Sequence, residues 1–329
     1  MSKLVTIYGG SGFVGRHIAW ALARKGWRVR VAVRRPNEAL HVRMYGDVGQ
    51  LEAVACNIRD DASVRAAMVG ADAVVNCVGI LVREGRNRFD AVHVEGAGRV
   101  ARLAAEAGVT QLVHLSALGA DAGSDSTYLA SKAAGEGAVT GAFPGAVILR
   151  PSVIFGQEDR FFNKFAGLAS LPLLAPLVGA KTPVQPAYVG DVAEAVARAA
   201  EGAVPGGIYE LGGPDRMTFR DAMALVIATI DRRRAILSVP RWLARIMAAV
   251  LDAVQVVSGG LLTNRILTRD QVRMLATPNV VSGDFPGFDA FGIQPVAPKE
   301  VIGDYLWRYR KQGQYAEFNK SARQLDQRG

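Results

Sequence analysis

Tyr128 and Lys132 stand four residues apart in the run Tyr128-Leu129-Ala130-Ser131-Lys132. On a helix that spacing puts the phenol and the ammonium on one face, about 5 to 6 Å apart at Cβ. The cation would lower the tyrosine's pKa from its usual value of about 10 and hydrogen-bond a nicotinamide ribose, making the phenol a general acid or base. A tyrosine and a lysine at this spacing are common in helices, so the pair draws its weight from its place between two strand-like runs. A second cluster, Gly9-Gly10-Ser11-Gly12-Phe13-Val14-Gly15, has glycines at every third position. Where a strand turns into a helix, Gly9 permits the sharp turn, Gly12 lets backbone N–H groups approach a pyrophosphate, and Gly15 lets helix and strand pack closely. The helix N-terminus adds its positive dipole. Phe13, Val14 and Arg16 open that helix, and Arg16 is placed to assist.

The choice of dinucleotide falls to the end of the second strand. An Asp or Glu there would accept from the ribose 2′-OH of NAD(H). Instead Arg34 and Arg35 follow Val31-Ala32-Val33, and paired guanidiniums suit a 2′-phosphate. NADP(H) is the expected cofactor and NAD(H) the lesser alternative. The plain alternative is two solvated arginines, in a chain with far more arginine than lysine.

These residues need a scaffold, and the first half of the chain supplies a regular one. Residues 4–8 form an apolar run, 13–25 have helical spacing, and 27–33 alternate again; 54–58, 73–78, 111–116 and 146–149 read as further strands with alanine-rich helical segments such as 91–107 between them. Strands separated by single helices predict right-handed βαβ units in an α/β, doubly wound parallel sheet. After Pro151 the texture changes. Residues 171–186 carry four prolines and read as an irregular excursion, 191–200 as a helix, 207–212 as one more strand, and from Arg216 on the chain reads as mostly helical.

Composition closes off other functions. Half of the 329 residues are apolar, which excludes a disordered or collagen-like chain. Cys56 and Cys77 are the only cysteines and both lie in apolar runs, so neither a disulfide framework nor a metal site is expected, and a reducing compartment is. The strand-like run begins too soon for a signal or transit peptide, and no apolar stretch is long enough for a transmembrane segment. The expectation is a chain used where it is made. The net charge is +9, and 216–273 alone hold ten Arg against four Asp, a surplus of six. No nucleic-acid-binding motif accompanies that charge, so nucleic acid is not expected as a partner.

The glycine turn, Asn76-Cys77-Val78-Gly79, Ser116, the Tyr128/Lys132 pair and Leu149-Arg150-Pro151-Ser152 resemble the extended and atypical short-chain dehydrogenases, over about the first 215 residues. That resemblance implies a Rossmann domain with a smaller, mostly helical C-terminal domain interleaved in sequence. The boundaries are 1–155 completed by about 187–213, then 156–186 with 214–312, and a tail at 313–329. It further implies a catalytic role for Ser116, Tyr128 and Lys132. Cofactor contacts are implied from Asn57 and Ile58, from Cys77, Val78 and Gly79, and from Pro151 and Val153.

A narrower set of runs extends over most of the chain: residues 114–121, 131–136, 154–161, 185–192 and Thr268-Arg269-Asp270-Gln271-Val272. They resemble the nucleotide-binding accessory subunits of respiratory complex I, NADH:ubiquinone oxidoreductase. That resemblance implies a tightly held NADPH with a structural role and complex I subunits near the quinone site as partners. It places the chain in the cytoplasm, peripheral on the inner face of a bacterial plasma membrane.

Turnover is the weaker expectation. Active extended members carry a Ser or Thr two residues beyond the strand-ending serine, and here Leu118 holds that place. An isobutyl group cannot donate to a developing oxyanion, a loss typically of about a hundredfold in rate. Ser124 or Ser126 could substitute only if their loop folds back, and His93 stands where an Asn is usual. Tyr128 and Lys132 are therefore expected to hold ribose without chemistry. The alternative is a free NADPH-dependent reductase or epimerase acting on a quinone- or lipid-related substrate. Farther on, 242, 243, 246, 247, 250, 251 and 254 share one apolar helical face flanked by Arg241 and Arg245. Such a face ordinarily means core, while its arginines would also suit an anionic lipid surface.

Overall fold

The computed structural model describes residues 2–311 and 313, apart from 84, 86, 173 and 258–267. The tail from 314 onward and Arg265 lie outside the described residues. Strand β1 (Leu4–Tyr8) leads through α1 (Phe13–Arg24) to β2 (Arg28–Val33), β3 (Leu51–Ala55), α2 (Asp61–Met68), β4 (Ala73–Asn76), α3 (Glu95–Glu106), β5 (Gln111–Leu115), α4 (Thr127–Ala142) and β6 (Val147–Pro151). Next come β7 (Ile154–Phe155), α5 (Phe162–Ser170), β8 (Leu174–Val178), β9 (Pro183–Val184), β10 (Ala187–Tyr188), α6 (Val189–Ala200) and β11 (Gly207–Leu211). Then follow β12 (Met217–Thr218), α7 (Phe219–Thr229), β13 (Ala235–Val239), α8 (Arg241–Val257) and α9 (Arg269–Met274).

Seven strands form one parallel sheet in the order β11-β6-β5-β4-β1-β2-β3. The order reverses between β1 and β4, which opens a crevice at the carboxyl ends of those strands. Both faces of the sheet are covered, so β1 reads as a continuous buried run and not as an alternating one. Its two polar groups are satisfied from α2: the Thr6 hydroxyl donates to the Ala67 carbonyl at 2.9 Å and the Tyr8 phenol to that of Val64 at 2.7 Å. Helices α1 and α6 bury Ile18, Leu22, Val192 and Val196 on one face. Helices α2, α3 and α4 bury Val64, Val100, Leu103 and Val139 on the other.

A second cluster of buried side chains, separate from the sheet, gathers Phe155, Phe162 and Ala166 with Met223, Val226 and Leu306. Here the sequence reading needs two corrections. The proline-bearing stretch 171–186 is not irregular, because β8 pairs in parallel with β13, with Pro176 opposite Leu237, and β9 pairs antiparallel with β12. A two-stranded sheet calls on the amides of only one side of each strand, so it tolerates a proline that a central strand would not. The expected helix 91–107 also begins differently: a π-helical turn, Asp90–Val94, precedes α3. Gly135 of α4 packs so close to that turn that a Cβ there would lie 2.1 Å from the His93 carbonyl oxygen. That contact sets His93 against the helix that carries Tyr128 and Lys132.

Helix α8 supplies a third correction. Its stripe of large apolar side chains is not core: Trp242 is 64 % exposed, Ile246 54 % and Val250 58 %. Among the described residues it buries Ala244 and Ala248, against Val272 of α9 with Val178 and Val239. The side chain of Val254 lies outside the described residues.

Candidate functional site

The glycine turn leaves β1 at the crevice. Gly9 adopts φ +80°, a left-handed conformation that favours glycine. At Gly15 a Cβ would fall 2.4 Å from the Gly9 carbonyl oxygen, so helix and turn meet backbone to backbone. A Cβ at Gly12 would come no nearer than 3.4 Å to that same oxygen, and the residue is exposed. No side chain caps α1 and no acid stands in its first turn, so its N-terminal amides are offered to an anion. Phe13 and Val14 are half-buried at the start of the helix. Arg16, expected to assist, forms an ion pair with Glu158 that fastens the helix to the loop after β7, and its buried Nε has no partner.

Arg34 and Arg35 are exposed just beyond β2, where they were expected, but they are not equivalent. Arg35 reaches back to Glu38 at 2.9 Å. Cys56 to Ile58 follow β3 as a loop, not as the end of the expected strand; Asn57 Oδ1 accepts from the Arg59 amide at 3.2 Å, so the NH2 of its carboxamide is the donor it has to offer, and Ile58 is buried. After β4, Cys77 donates to the Tyr8 carbonyl, and desolvation pushes its thiol up to about 12. Val78 and Gly79 continue into the crevice. A Cβ at Gly79 would lie 3.8 Å from His93 Nε2 and 3.9 Å from Lys132 Nζ, so this glycine marks the meeting of β4 with the catalytic-type pair.

Tyr128 and Lys132 lie on the same helix but have different surroundings. Lys132 Nζ donates to the Leu115 carbonyl at 2.8 Å, and burial lowers its pKa to about 8. Tyr128 lies edge-on to His93 and Phe89, with ring centroids 5.6 and 5.9 Å away. Desolvation pushes its phenol up to about 12, the opposite of the lowering expected from a lysine on the same helix face. His93 is held neutral, burial and the Lys132 charge bringing it down to about 3. Its Nε2 accepts from the Ile80 amide at 3.0 Å, so the proton is on Nδ1, which donates to Ser131 Oγ at 2.9 Å; that hydroxyl donates to the Tyr128 carbonyl at 2.7 Å. His93 thus works as a brace between β4 and α4.

Beyond β5, the Ser116 and Leu118 amides donate to the Leu149 and Pro151 carbonyls, stitching this segment to β6. Leu118 is buried where a hydroxyl donor would be needed. The Ser116 hydroxyl is buried without a partner, as is Nε2 of His114. Of the two expected substitutes, the Ser126 hydroxyl donates to Asp270, while Ser124 Oγ accepts from the Ser126 amide and keeps its own proton. Pro151 is buried at the end of β6, and the Val153 amide is taken by Asn279 Oδ1 at 2.9 Å. Any contact from Val153 to a nicotinamide therefore falls to its side chain.

Sequence reasoning missed three contributors. Asn279 closes the β6 loop and also takes the Ser152 hydroxyl at 2.7 Å. Phe89 stacks on His93 at 5.3 Å, a pairing that its spacing of four residues in a helical segment foreshadowed. Asp270 reaches the first turn of α4, and the Thr268–Gln271 capping box around it was legible as a helix start.

The donor set fits a dinucleotide: a glycine cradle that excludes a Cβ at Gly15, uncapped amides, an orphaned Ser116 hydroxyl, the phenol of Tyr128 and, beside Gly79, the ammonium of Lys132. Among the described residues no cluster could hold a metal ion.

Comparison with known proteins shows the family. Residues 5–212 match the NAD dependent epimerase/dehydratase family. The chain is 33% identical over 316 residues to the mitochondrial NADH dehydrogenase [ubiquinone] 1 alpha subcomplex subunit 9 of Arabidopsis thaliana, covering 94% of this chain and 79% of that protein. It is 34% identical over 190 residues to the ceramide reductase of Caulobacter vibrioides, 58% of each chain. The Bordetella bronchiseptica enzyme WbmG, solved in complex with NAD, superposes with a TM-score of 0.65 over 97% of this chain and 95% of its own, at 14% identity, a likeness of fold alone.

Proposed function

The chain belongs to the NAD dependent epimerase/dehydratase family, and on that premise we propose that it is a dinucleotide-binding accessory subunit of respiratory complex I, holding its nucleotide for structure and not for turnover. The kinship with the plant subunit extends along nearly the whole chain, which a shared nucleotide fold alone would not require. The observation that carries the reading is an intact nucleotide cradle beside a site in which Leu118 is buried where a hydroxyl donor would stand.

The ligand is a nicotinamide dinucleotide, and NADP(H) is the form we favour because the two residues directly after β2 are arginines and not a carboxylate, with Arg34 exposed. When bound, such a cofactor supplies a hydride donor or acceptor. The chain's own part is to seat the pyrophosphate over Gly12 and α1, to hold ribose with Tyr128 and Lys132, and to close the far end with Pro151 and Val153. A phenol near 12 is protonated at neutral pH, so it would donate a proton and not accept one.

The partners on this reading are complex I subunits near its quinone region, with the chain peripheral to the membrane on its inner face. Among the described residues no helix is long and apolar enough to cross a bilayer. The exposed stripe of α8, flanked by Arg241 and Arg245, suits contact with anionic lipid.

A second reading is a free NADPH-dependent reductase or epimerase on a lipid-like substrate. It is favoured by the retained Tyr128 and Lys132 and by the similarity to a ceramide reductase. Affinity capture of the tagged chain from detergent-solubilised membranes separates the two. Co-purification with an NADH-oxidising assembly, with NADP(H) released on denaturation, is expected. Recovery of the chain alone, turning over NADPH in a Tyr128-dependent way, would establish the enzyme instead.

A further inference from the structure

Asp270 lies 142 residues from Tyr128 in sequence yet caps the helix that carries it. Its Oδ1 accepts from the Thr127 amide at 2.9 Å and the Thr127 hydroxyl at 3.2 Å; its Oδ2 accepts from the Ser126 hydroxyl at 3.1 Å and the Tyr128 amide at 3.3 Å. Two of the first-turn amides of α4, which no residue within the helix can satisfy, are thus satisfied by a carboxylate on α9. Arg273, one turn farther along α9, donates to the Asp125 carbonyl at 3.1 Å and adds a second stitch.

Helix α9 is in turn tied to α8. Val272 packs on Ala244 and Ala248, and the Arg269 amide donates to Asp252 Oδ2 at 3.2 Å. Among the described residues this cluster holds three fully buried side chains, whereas each face of the main sheet buries many more. With so little buried apolar area, the firmness of the α8–α9 pair is set largely by whatever covers the outer face of α8.

We propose that Asp270 is a positioning residue for the dinucleotide site, one that makes nucleotide retention and the docking of α8 thermodynamically linked. The proposal rests on the reading that this chain binds NADP(H) and lays α8 on an anionic lipid surface. The coupling runs through one helix turn. Seating Asp270 orders Thr127 and Tyr128; Lys132 follows on the next turn, and these two side chains face the ribose. A surface that holds α8 holds α9, keeps the carboxylate seated and slows nucleotide release. By reciprocity, bound nucleotide tightens docking by the same factor.

The test uses the full chain and NADPH fluorescence. Bound NADPH is chased with excess NADP+, with and without vesicles of phosphatidylglycerol and phosphatidylethanolamine. Vesicles are expected to slow release from the wild-type chain by about fivefold or more, the lower end of usual coupling. Asp270→Asn, which keeps the side chain's shape, is expected to release NADPH about tenfold faster and to lose the vesicle effect while still binding vesicles. Asp270→Glu should recover part of it, a rescue that general destabilisation would not give, and thermal melts of all three chains confirm that they are folded. Release from Asp270→Asn that matches the wild type, or a wild-type rate indifferent to vesicles that the chain demonstrably binds, overturns the proposal. A wild-type chain that binds no NADPH or no vesicles overturns it too, but by removing the reading beneath it.

Discussion

The ammonium of Lys132 donates to the carbonyl oxygen of Leu115 at 2.8 Å, so its hydrogen bond runs to the end of β5 and not to the phenol of Tyr128 on the preceding turn. This contact fixes where the ammonium sits, while the high pKa of Tyr128 has a separate cause, its own desolvation. The lysine remains beside the ribose position while Tyr128 keeps a high pKa.

The pH dependence of binding follows from it. Burial lowers Lys132 from 10.5 to about 8, so above that pH the free protein presents a neutral amine to an anionic ligand. NADPH affinity is expected to be flat up to about pH 7 and then to fall by up to tenfold per unit once the group deprotonates. Lys132→Met should remove the inflection in a fluorescence titration between pH 6 and 9.5. The stability contribution runs the other way. Between about 8 and 10.5 the unfolded chain binds the extra proton, so this group's share of the unfolding free energy rises with pH across that window. A parallel fall of both quantities would refute the assignment.

Tyr128→Phe addresses catalysis. With Leu118 buried in place of a donor, the purified chain should oxidise NADPH no faster with quinones or ceramide-like ketones than without them. The substitution should change that background less than twofold and NADPH affinity only a few-fold, the worth of one hydrogen bond. Turnover that disappears with the phenol would make this chain an enzyme.

The two inner glycines of the turn separate folding from binding. At Gly15 a methyl would meet the Gly9 carbonyl oxygen at 2.4 Å and the Gly10 Cα at 2.7 Å. Gly15→Ala should therefore cost about 2 kcal/mol or more in stability, since overpacking against backbone leaves nothing flexible to yield. Gly12→Ala has room within the protein and should melt within a degree or two of the wild type, yet it should lose NADPH because the methyl projects toward the pyrophosphate position. Denaturation curves with nucleotide titrations check both, and equal melting of the two variants would contradict the cradle geometry.

Much of this was legible in sequence because short-range rules fix it. The glycine turn, the order of the first six strands and the Tyr128/Lys132 spacing each follow from period and position. What escaped was set by tertiary contacts that no local pattern encodes. Lys132 turns to Leu115 because burial leaves a nearby carbonyl as its partner, and the phenol rises because Phe89 and His93 surround it. Residues 171–186 form strands because partners more than 30 residues later, in β12 and β13, supply the hydrogen bonds that their prolines seemed to deny. Apolar helical spacing on α8 suggested core, since periodicity tells which side chains share a face and not which way that face is turned.

Selectivity between nucleotides should track the arginines unequally. Arg35 already pairs with Glu38, both side chains largely exposed, whereas Arg34 is exposed at the end of β2 and open to a 2′-phosphate. Arg34→Ala is expected to weaken NADPH about tenfold and leave NADH unchanged, as for one charge-assisted contact at an exposed site. Arg35→Ala should cost less. Equal losses for both nucleotides would remove the 2′-phosphate role.

Membrane contact through α8 is testable on the same chain. Trp242, Ile246 and Val250 repeat every fourth residue, with Leu243 and Met247 beside them, and all five are exposed on one stripe. A helix laid in the lipid interface gains from burying that stripe, about 1.5 to 3 kcal/mol per large side chain if burial were complete, and about 1 kcal/mol from each arginine near anionic headgroups. Ile246→Glu puts a carboxylate at the middle of the stripe and should reduce partitioning to phosphatidylglycerol-containing vesicles by tenfold or more at any ionic strength. Arg241→Glu with Arg245→Glu should reduce it comparably at low salt and much less in 1 M salt, where the Debye length shrinks to about 3 Å. None of these positions is buried, so the fold should survive all three changes, and sedimentation with vesicles reads the result directly. Binding unaffected by Ile246→Glu, or equal on neutral and anionic vesicles, would turn the stripe from a lipid contact into a surface for a protein subunit.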